Sequence, residues 1–168
     1  MNISKLLKGV NYTAIHGSCE REVVNLTYDS RQVTCGSCFF AIEGVVADGH
    51  NYIGSAVEKG AVAVVCKRLP ESLNTEQTTY IVTDDTDKAM ALIAANFYGN
   101  PSRKLTVVGV TGTNGKTTIA TLLYDLVRLM GEKAGLISTV VYKIDNENVS
   151  YFGTPCPDNI CRSLKVVS

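Results

Sequence analysis

Apolar and polar positions alternate loosely from Val23 to Tyr28, and Asp29-Ser30-Arg31 then breaks the run. This pattern predicts a strand that ends in a polar loop. Cys38 to Ile42 reads as a second short strand. After the Gly44 to Gly49 loop, Tyr52, Ile53, Ala56 and Val57 recur at helical spacing and predict a short helix stopped by Gly60. The continuous apolar run Ala61 to Cys66 is then a buried strand, which completes a βαβ unit. Thr79 to Thr83 predicts another strand. Asp85, Thr86 and Asp87 can cap the helix that follows, whose Met90, Ile93, Ala94 and Phe97 share one face.

Gly99-Asn100-Pro101-Ser102 ends this helix and, with Arg103-Lys104 behind it, offers little to bury. A domain boundary is therefore placed near residue 102, giving segments 1–102 and 103–168. The second segment opens with the β-branched run Leu105 to Val110, read as a strand. A glycine-rich turn follows, and then a helix with Ile119, Leu122, Leu123, Leu126 and Met130 on one stripe, ended by Gly131. Leu136 to Tyr142 reads as the next strand, and strand-loop-helix-strand predicts a right-handed parallel crossover. Two strands and one helix do not close a doubly wound sheet, so this segment reads as the opening part of a nucleotide-binding domain.

Composition narrows the function classes. The chain has 168 residues, 45% hydrophobic and 19% charged, with Lys+Arg and Asp+Glu balanced at 16 each. Such a chain can build a core, which excludes wholesale disorder, and zero net charge excludes nucleic-acid binding through bulk field. No export signal is evident at the start, and the longest apolar run, Ala61 to Cys66, is far short of a membrane span of ~20 residues. The expectation is a soluble cytoplasmic protein that does not insert into membranes. Its six cysteines are accordingly read as reduced thiols. Cys35-Gly-Ser-Cys38 has the spacing of half a zinc site or of a redox pair, but no second ligand pair accompanies it and Phe39 to Ile42 reads as strand rather than helix.

The chemistry concentrates in Gly109-Val110-Thr111-Gly112-Thr113-Asn114-Gly115-Lys116-Thr117-Thr118, between predicted strand and predicted helix. A phosphate-binding loop belongs there, because backbone N–H groups and the helix N-terminus cradle phosphate oxygens and glycine permits close approach. Gly112, Thr113, Asn114, Gly115, Lys116, Thr117 and Thr118 are the ATP-binding candidates. Lys116 is the catalytic candidate, against the β- and γ-phosphates, and Thr117 would give its hydroxyl to Mg²⁺. The spacing departs from the standard loop, since five residues separate Gly109 from Gly115 and Val110 stands where the first Gly is expected. An apolar strand ending in an acid is imitated by Val140 to Asp145, which reads better as a strand end with a turn Asp.

Two spaced motifs together resemble the Mur ligases of peptidoglycan synthesis, nearest the branch that adds the third amino acid to UDP-N-acetylmuramoyl-L-alanyl-D-glutamate. The first comprises Asp29-Ser30-Arg31, Gly36 with Phe39 and Ala41, Gly44, Asp48-Gly49-His50, and Gly60 to Val64; the second is Val108 to Thr118. Thr113-Asn114 favours this branch over the next enzyme of the pathway, which usually carries Ser there, and Gly135 to Thr139 also looks like it. The resemblance implies an α/β fold: a small uridine-binding domain, then the start of a P-loop parallel-sheet ATPase domain. It implies ATP and Mg²⁺ as cofactors, UDP-MurNAc-peptide and amino-acid substrates, and a monomer. The activity implied is amide formation through an acyl phosphate on the D-glutamyl carboxylate. It implies Ser30 as a uridine contact, with Val45, Val46, Ala47, His50, Pro155 and Cys156 as further substrate contacts; on its own His50 reads better as a polar loop residue than as a contact.

The family usually has His-Thr-Thr-Pro where Thr154-Pro155-Cys156-Pro157-Asp158 stand here, which removes two hydroxyls and a backbone donor from the sugar grip. The remainder of the ATPase domain and the domain that selects the amino acid have no counterpart, so the chain reads as about a third of such an enzyme. Two other readings remain: a non-catalytic nucleotide-binding module, and a P-loop phosphotransferase unrelated to cell walls.

Overall fold

Residues 1–44, 47–144 and 147–149 are described by the computed structural model of the chain, with backbone only for 147–149. The chain divides into two units, Met1–Phe97 and Tyr98–Ser168.

The first unit contains α1 (Ile3–Leu6), β1 (Ala14–His16), β2 (Asn25–Thr27), β3 (Ser37–Phe40), α2 (Ile53–Glu58), β4 (Ala63–Cys66), β5 (Thr79–Val82) and α3 (Thr86–Phe97). Its sheet has the order β1-β5-β4-β3-β2, parallel throughout except for the antiparallel edge strand β1. Every residue of β3 and β4 is buried, as a parallel sheet covered on both faces requires. Phe39, Val64, Cys66 and Tyr80 pack with Ile53 and Ala56 of α2. The alternate residues Phe40, Val65 and Ile81 turn to the opposite face and are equally buried, and α3 packs against β4 with α1 laid on it. The predicted strands and both helices of this half are present. The Lys88 N–H donates to Asp85 Oδ1 at 2.9 Å, so Asp85 is the residue that caps α3.

The second unit holds α4 (Lys116–Leu129), β6 (Gly135–Ile137), β7 (Tyr142–Ile144) and β8 (Glu147–Val149). It corrects the sequence reading at two points. Residues 105–110 form no strand, and Val107 and Val108 are about 60% exposed, at 60% and 63%. An extended run becomes a strand only when a neighbour satisfies its N–H and C=O groups, and no described strand lies beside it. The predicted single strand Leu136 to Tyr142 is instead two, β6 and β7, paired antiparallel, with β8 antiparallel beyond, so the expected parallel crossover is not seen among the described residues. Ser138 breaks the run: its hydroxyl accepts the Val141 N–H at 3.0 Å and donates to the Val141 carbonyl at 2.9 Å, a local turn that competes with the ladder. Helix α4 forms where its periodicity predicts, but Ile119, Leu122 and Leu126 of the stripe are exposed.

Among the described residues no helix is long and apolar enough to cross a membrane. Cys19, Cys35, Cys38 and Cys66 are free thiols. Cys35 is exposed whereas Cys38 is buried in β3, so the two present no common face to a metal or a redox partner. Cys156 and Cys161 lie outside the described residues.

Candidate functional site

Because β2, β3, β4 and β5 are parallel, the segments that leave them emerge at one edge of the first sheet, the carboxyl edge where ligands of α/β folds bind. Asp29-Ser30-Arg31 leaves β2 as a tight turn. Asp29 Oδ1 accepts the Arg31 N–H at 2.9 Å, the Arg31 guanidinium pairs with both carboxylate oxygens, and the Gln32 N–H donates to the Asp29 carbonyl at 3.0 Å. The Arg31 guanidinium holds the Asp29 carboxyl below the usual carboxylate range. Lys59 Nζ donates to the Ser30 carbonyl at 2.8 Å. Asp29 and Arg31 thus shape the turn, and Ser30 is half-buried at its apex.

The loop after β3 is a small hairpin. Glu43 and Asp48 bridge, the Gly44 N–H donates to the Ala47 carbonyl at 3.0 Å, and the Gly49 N–H donates to the Ile42 carbonyl at 2.8 Å. Ala47 is exposed and His50 nearly covered; Val45 and Val46 lie outside the described residues. Charged residues from the end of β4 close over the hairpin base. Lys67 Nζ reaches Glu43 at 3.0 Å, Arg68 reaches Glu43 at 3.1 Å, and Arg68 also pairs with Asp48. The N–H groups of His50 hold the Asp48 carboxyl below its ordinary range, and the Lys67 ammonium does the same for Glu43. The parts played by Glu43, Lys67 and Arg68 are absent from the sequence reading. The available signal is that β3 and β4 are neighbours, so charges one to three residues past their ends can meet.

In the second unit the glycine-rich loop runs into α4. Gly112 (φ 148°) and Gly115 (φ 77°) both occupy the region that disfavours a Cβ. Nothing crowds either position, so conformation and not space is the demand for glycine there. Lys116 folds back over the loop, its Nζ donating to the Gly112 carbonyl at 2.6 Å and the Thr113 carbonyl at 3.3 Å. Residues 112–116 and Thr118 are exposed and Thr117 is half-buried. The loop therefore brings together all seven residues singled out from the sequence, with the ammonium already at its centre. Asp145, Pro155 and Cys156 lie outside the described residues.

Comparison with known proteins places both halves. Residues 22–98 match the family model described as Mur ligase family, catalytic domain, and residues 110–161 match the Mur ligase middle domain. A UDP-N-acetylmuramoyl-L-alanyl-D-glutamate–2,6-diaminopimelate ligase of Phocaeicola vulgatus is 49% identical over 149 residues, covering 89% of this chain and 31% of that protein. The chain thus spans about a third of the length of the curated relatives it matches. Among solved structures, a ligase of the same name superposes with a TM-score of 0.71 at 19% identity, over 99% of this chain and 33% of that one, a likeness of fold. A MurF ligase from Thermotoga maritima in complex with ADP matches with a TM-score of 0.50 at 29% identity, over 65% of this chain and 24% of that one.

Proposed function

Because the chain belongs to the Mur ligase family, we propose that it forms the amino-terminal part of an ATP-dependent ligase that joins 2,6-diaminopimelate to UDP-N-acetylmuramoyl-L-alanyl-D-glutamate. Residues 1–102 are the uridine-binding domain and residues 103–168 begin the ATP-binding domain. The observation that carries this reading is the loop at 112–118. Its two left-handed glycines and the Lys116 ammonium over its carbonyls suit a polyphosphate, and the ADP-bound relative supports ATP. A triphosphate bound there supplies the γ-phosphoryl group, and a bound Mg²⁺ neutralises its charge.

The chain's own residues bind and orient. Lys116 exchanges its loop carbonyls for β- and γ-phosphate oxygens, the N–H groups of the loop receive the remaining oxygens, and the Thr117 hydroxyl is the Mg²⁺ ligand. Ser30 and the Gly44–Gly49 loop hold the uridine diphosphate part, and the family resemblance adds Val45, Val46, Ala47, Pro155 and Cys156 as further substrate contacts. In the reaction the D-glutamyl side-chain carboxylate takes the phosphoryl group, releasing ADP. The amine of diaminopimelate then attacks the acyl carbon and releases phosphate. The setting is the cytoplasm, where these nucleotide substrates are, and the protein works as a monomer.

Calorimetry on the chain and on Lys116→Ala tests this directly. The expected outcome is separate binding of UDP and of Mg²⁺-ATP, with ATP binding abolished and UDP binding retained in the variant. Loss of both together counts against independent sites, and a chain that binds ATP but not UDP favours the unrelated phosphotransferase.

A further inference from the structure

His50 uses both ring nitrogens, and the geometry fixes which is protonated. The backbone N–H of Lys67 approaches Nε2 at 3.0 Å and can only donate, so Nε2 carries a lone pair. The proton is therefore on Nδ1, which donates to Asp48 Oδ1 at 2.7 Å; the same oxygen accepts the His50 N–H at 2.9 Å. The ring is 6% exposed. It ties the residue that leaves β4 to the hairpin that leaves β3, a link between segments 17 residues apart. Glu43, Asp48 and His50 offer donor atoms within 4.8 Å of one another, as a cation site does. Both carboxylates already face Lys67 or Arg68, however, and neither imidazole nitrogen is free.

We infer that His50 is a positioning residue, whose neutral ring clasps the 43–49 hairpin to the end of β4 so that the hairpin stands beside the Ser30 turn and receives the diphosphate end of a uridine nucleotide. The inference rests on the uridine reading above and assigns His50 no ligand contact. The charged groups facing the ring are Asp48, Glu43, Lys67 and Arg68.

The test titrates UDP into the wild-type chain, His50→Leu and His50→Gln, with hydrogen exchange at the Lys67 amide. In His50→Leu the Lys67 N–H loses its acceptor, so its protection falls and UDP binds roughly tenfold more weakly. His50→Gln can set its Oε1 where Nε2 stood, so it keeps the protected amide and near-native affinity. A folded His50→Leu chain that binds UDP as the wild type does overturns the inference, as does a His50→Gln chain that keeps the protected Lys67 amide yet binds UDP as weakly as His50→Leu. Where His50→Leu does not fold, the protection and affinity of His50→Gln decide. A wild-type chain that binds no UDP at all overturns the uridine reading instead.

Discussion

A methyl group at Gly49 has nowhere to go. Its Cβ would lie 2.6 Å from the Ile42 nitrogen, 2.7 Å from the Ile42 oxygen and 3.0 Å from the Ala41 carbonyl carbon, all backbone atoms beside a buried strand. Carbon contacts settle near 3.5 Å, so Gly49→Ala overlaps by about 0.8 Å with atoms that cannot rotate away. Overpacking of this kind costs up to about 3 kcal/mol, and parting the chains loses the 2.8 Å bond from Gly49 to Ile42, worth about 1 kcal/mol. A sum of roughly 3 to 4 kcal/mol corresponds to a fall in Tm of roughly 12 to 32 °C for a unit of this size. Gly54 provides the opposite sign. It lies inside α2 with open space around its Cβ position, so Gly54→Ala stabilises by roughly 0.5 to 1 kcal/mol. Thermal melting followed by circular dichroism reads both variants against the wild type. Melting of Gly49→Ala within about 3 °C of the wild type, or of Gly54→Ala below it, refutes the reasoning about this hairpin.

The folded chain depresses the carboxyls of Asp29, Glu43 and Asp48, so the stability these groups contribute is present above the ordinary carboxylate range and is lost as pH falls through their lowered values. The urea midpoint should therefore decline from about pH 5 towards about pH 2, and a midpoint that rises over that span contradicts the assignment. Burial pushes the Cys66 thiol up to about 11, while Cys35 is exposed. Iodoacetamide at about pH 8 should label Cys35 readily and Cys66 only on unfolding, and equal labelling rates in a peptide map sink the burial argument. Leu122 of α4 is 64% exposed and Tyr124 only 8%. Leu122→Lys should leave the unfolding free energy within about 0.5 kcal/mol of wild type, and Tyr124→Ala should lower it by more than that; the reverse order means α4 packs otherwise.

The first unit was legible because its signals are local. The runs at Cys38 to Ile42 and Ala61 to Cys66 are apolar enough to mark buried strands, and Asp85 stands at the spacing from which a side chain caps a helix. The glycines of the phosphate loop were legible for the same reason, since a left-handed turn before Lys116 is written in residue type. Leu105 to Val110 misled because β-branched composition states a preference that only a neighbouring strand can realise. Ser138 carried a turn signal within an apolar run and was outweighed by it. The clasp at His50 could not be read at all, because its second partner is a backbone N–H whose position follows from strand pairing and not from any side chain.

Grafting tests the central claim most directly. The chain replaces the matched third of the Phocaeicola vulgatus diaminopimelate ligase, and ATP-dependent addition of diaminopimelate to UDP-N-acetylmuramoyl-L-alanyl-D-glutamate is measured. The account predicts an active chimera that loses activity with Lys116→Ala and binds the UDP substrate more weakly with Ser30→Ala. A chimera that folds and binds ATP but forms no product, or one whose activity is indifferent to both substitutions, contradicts it.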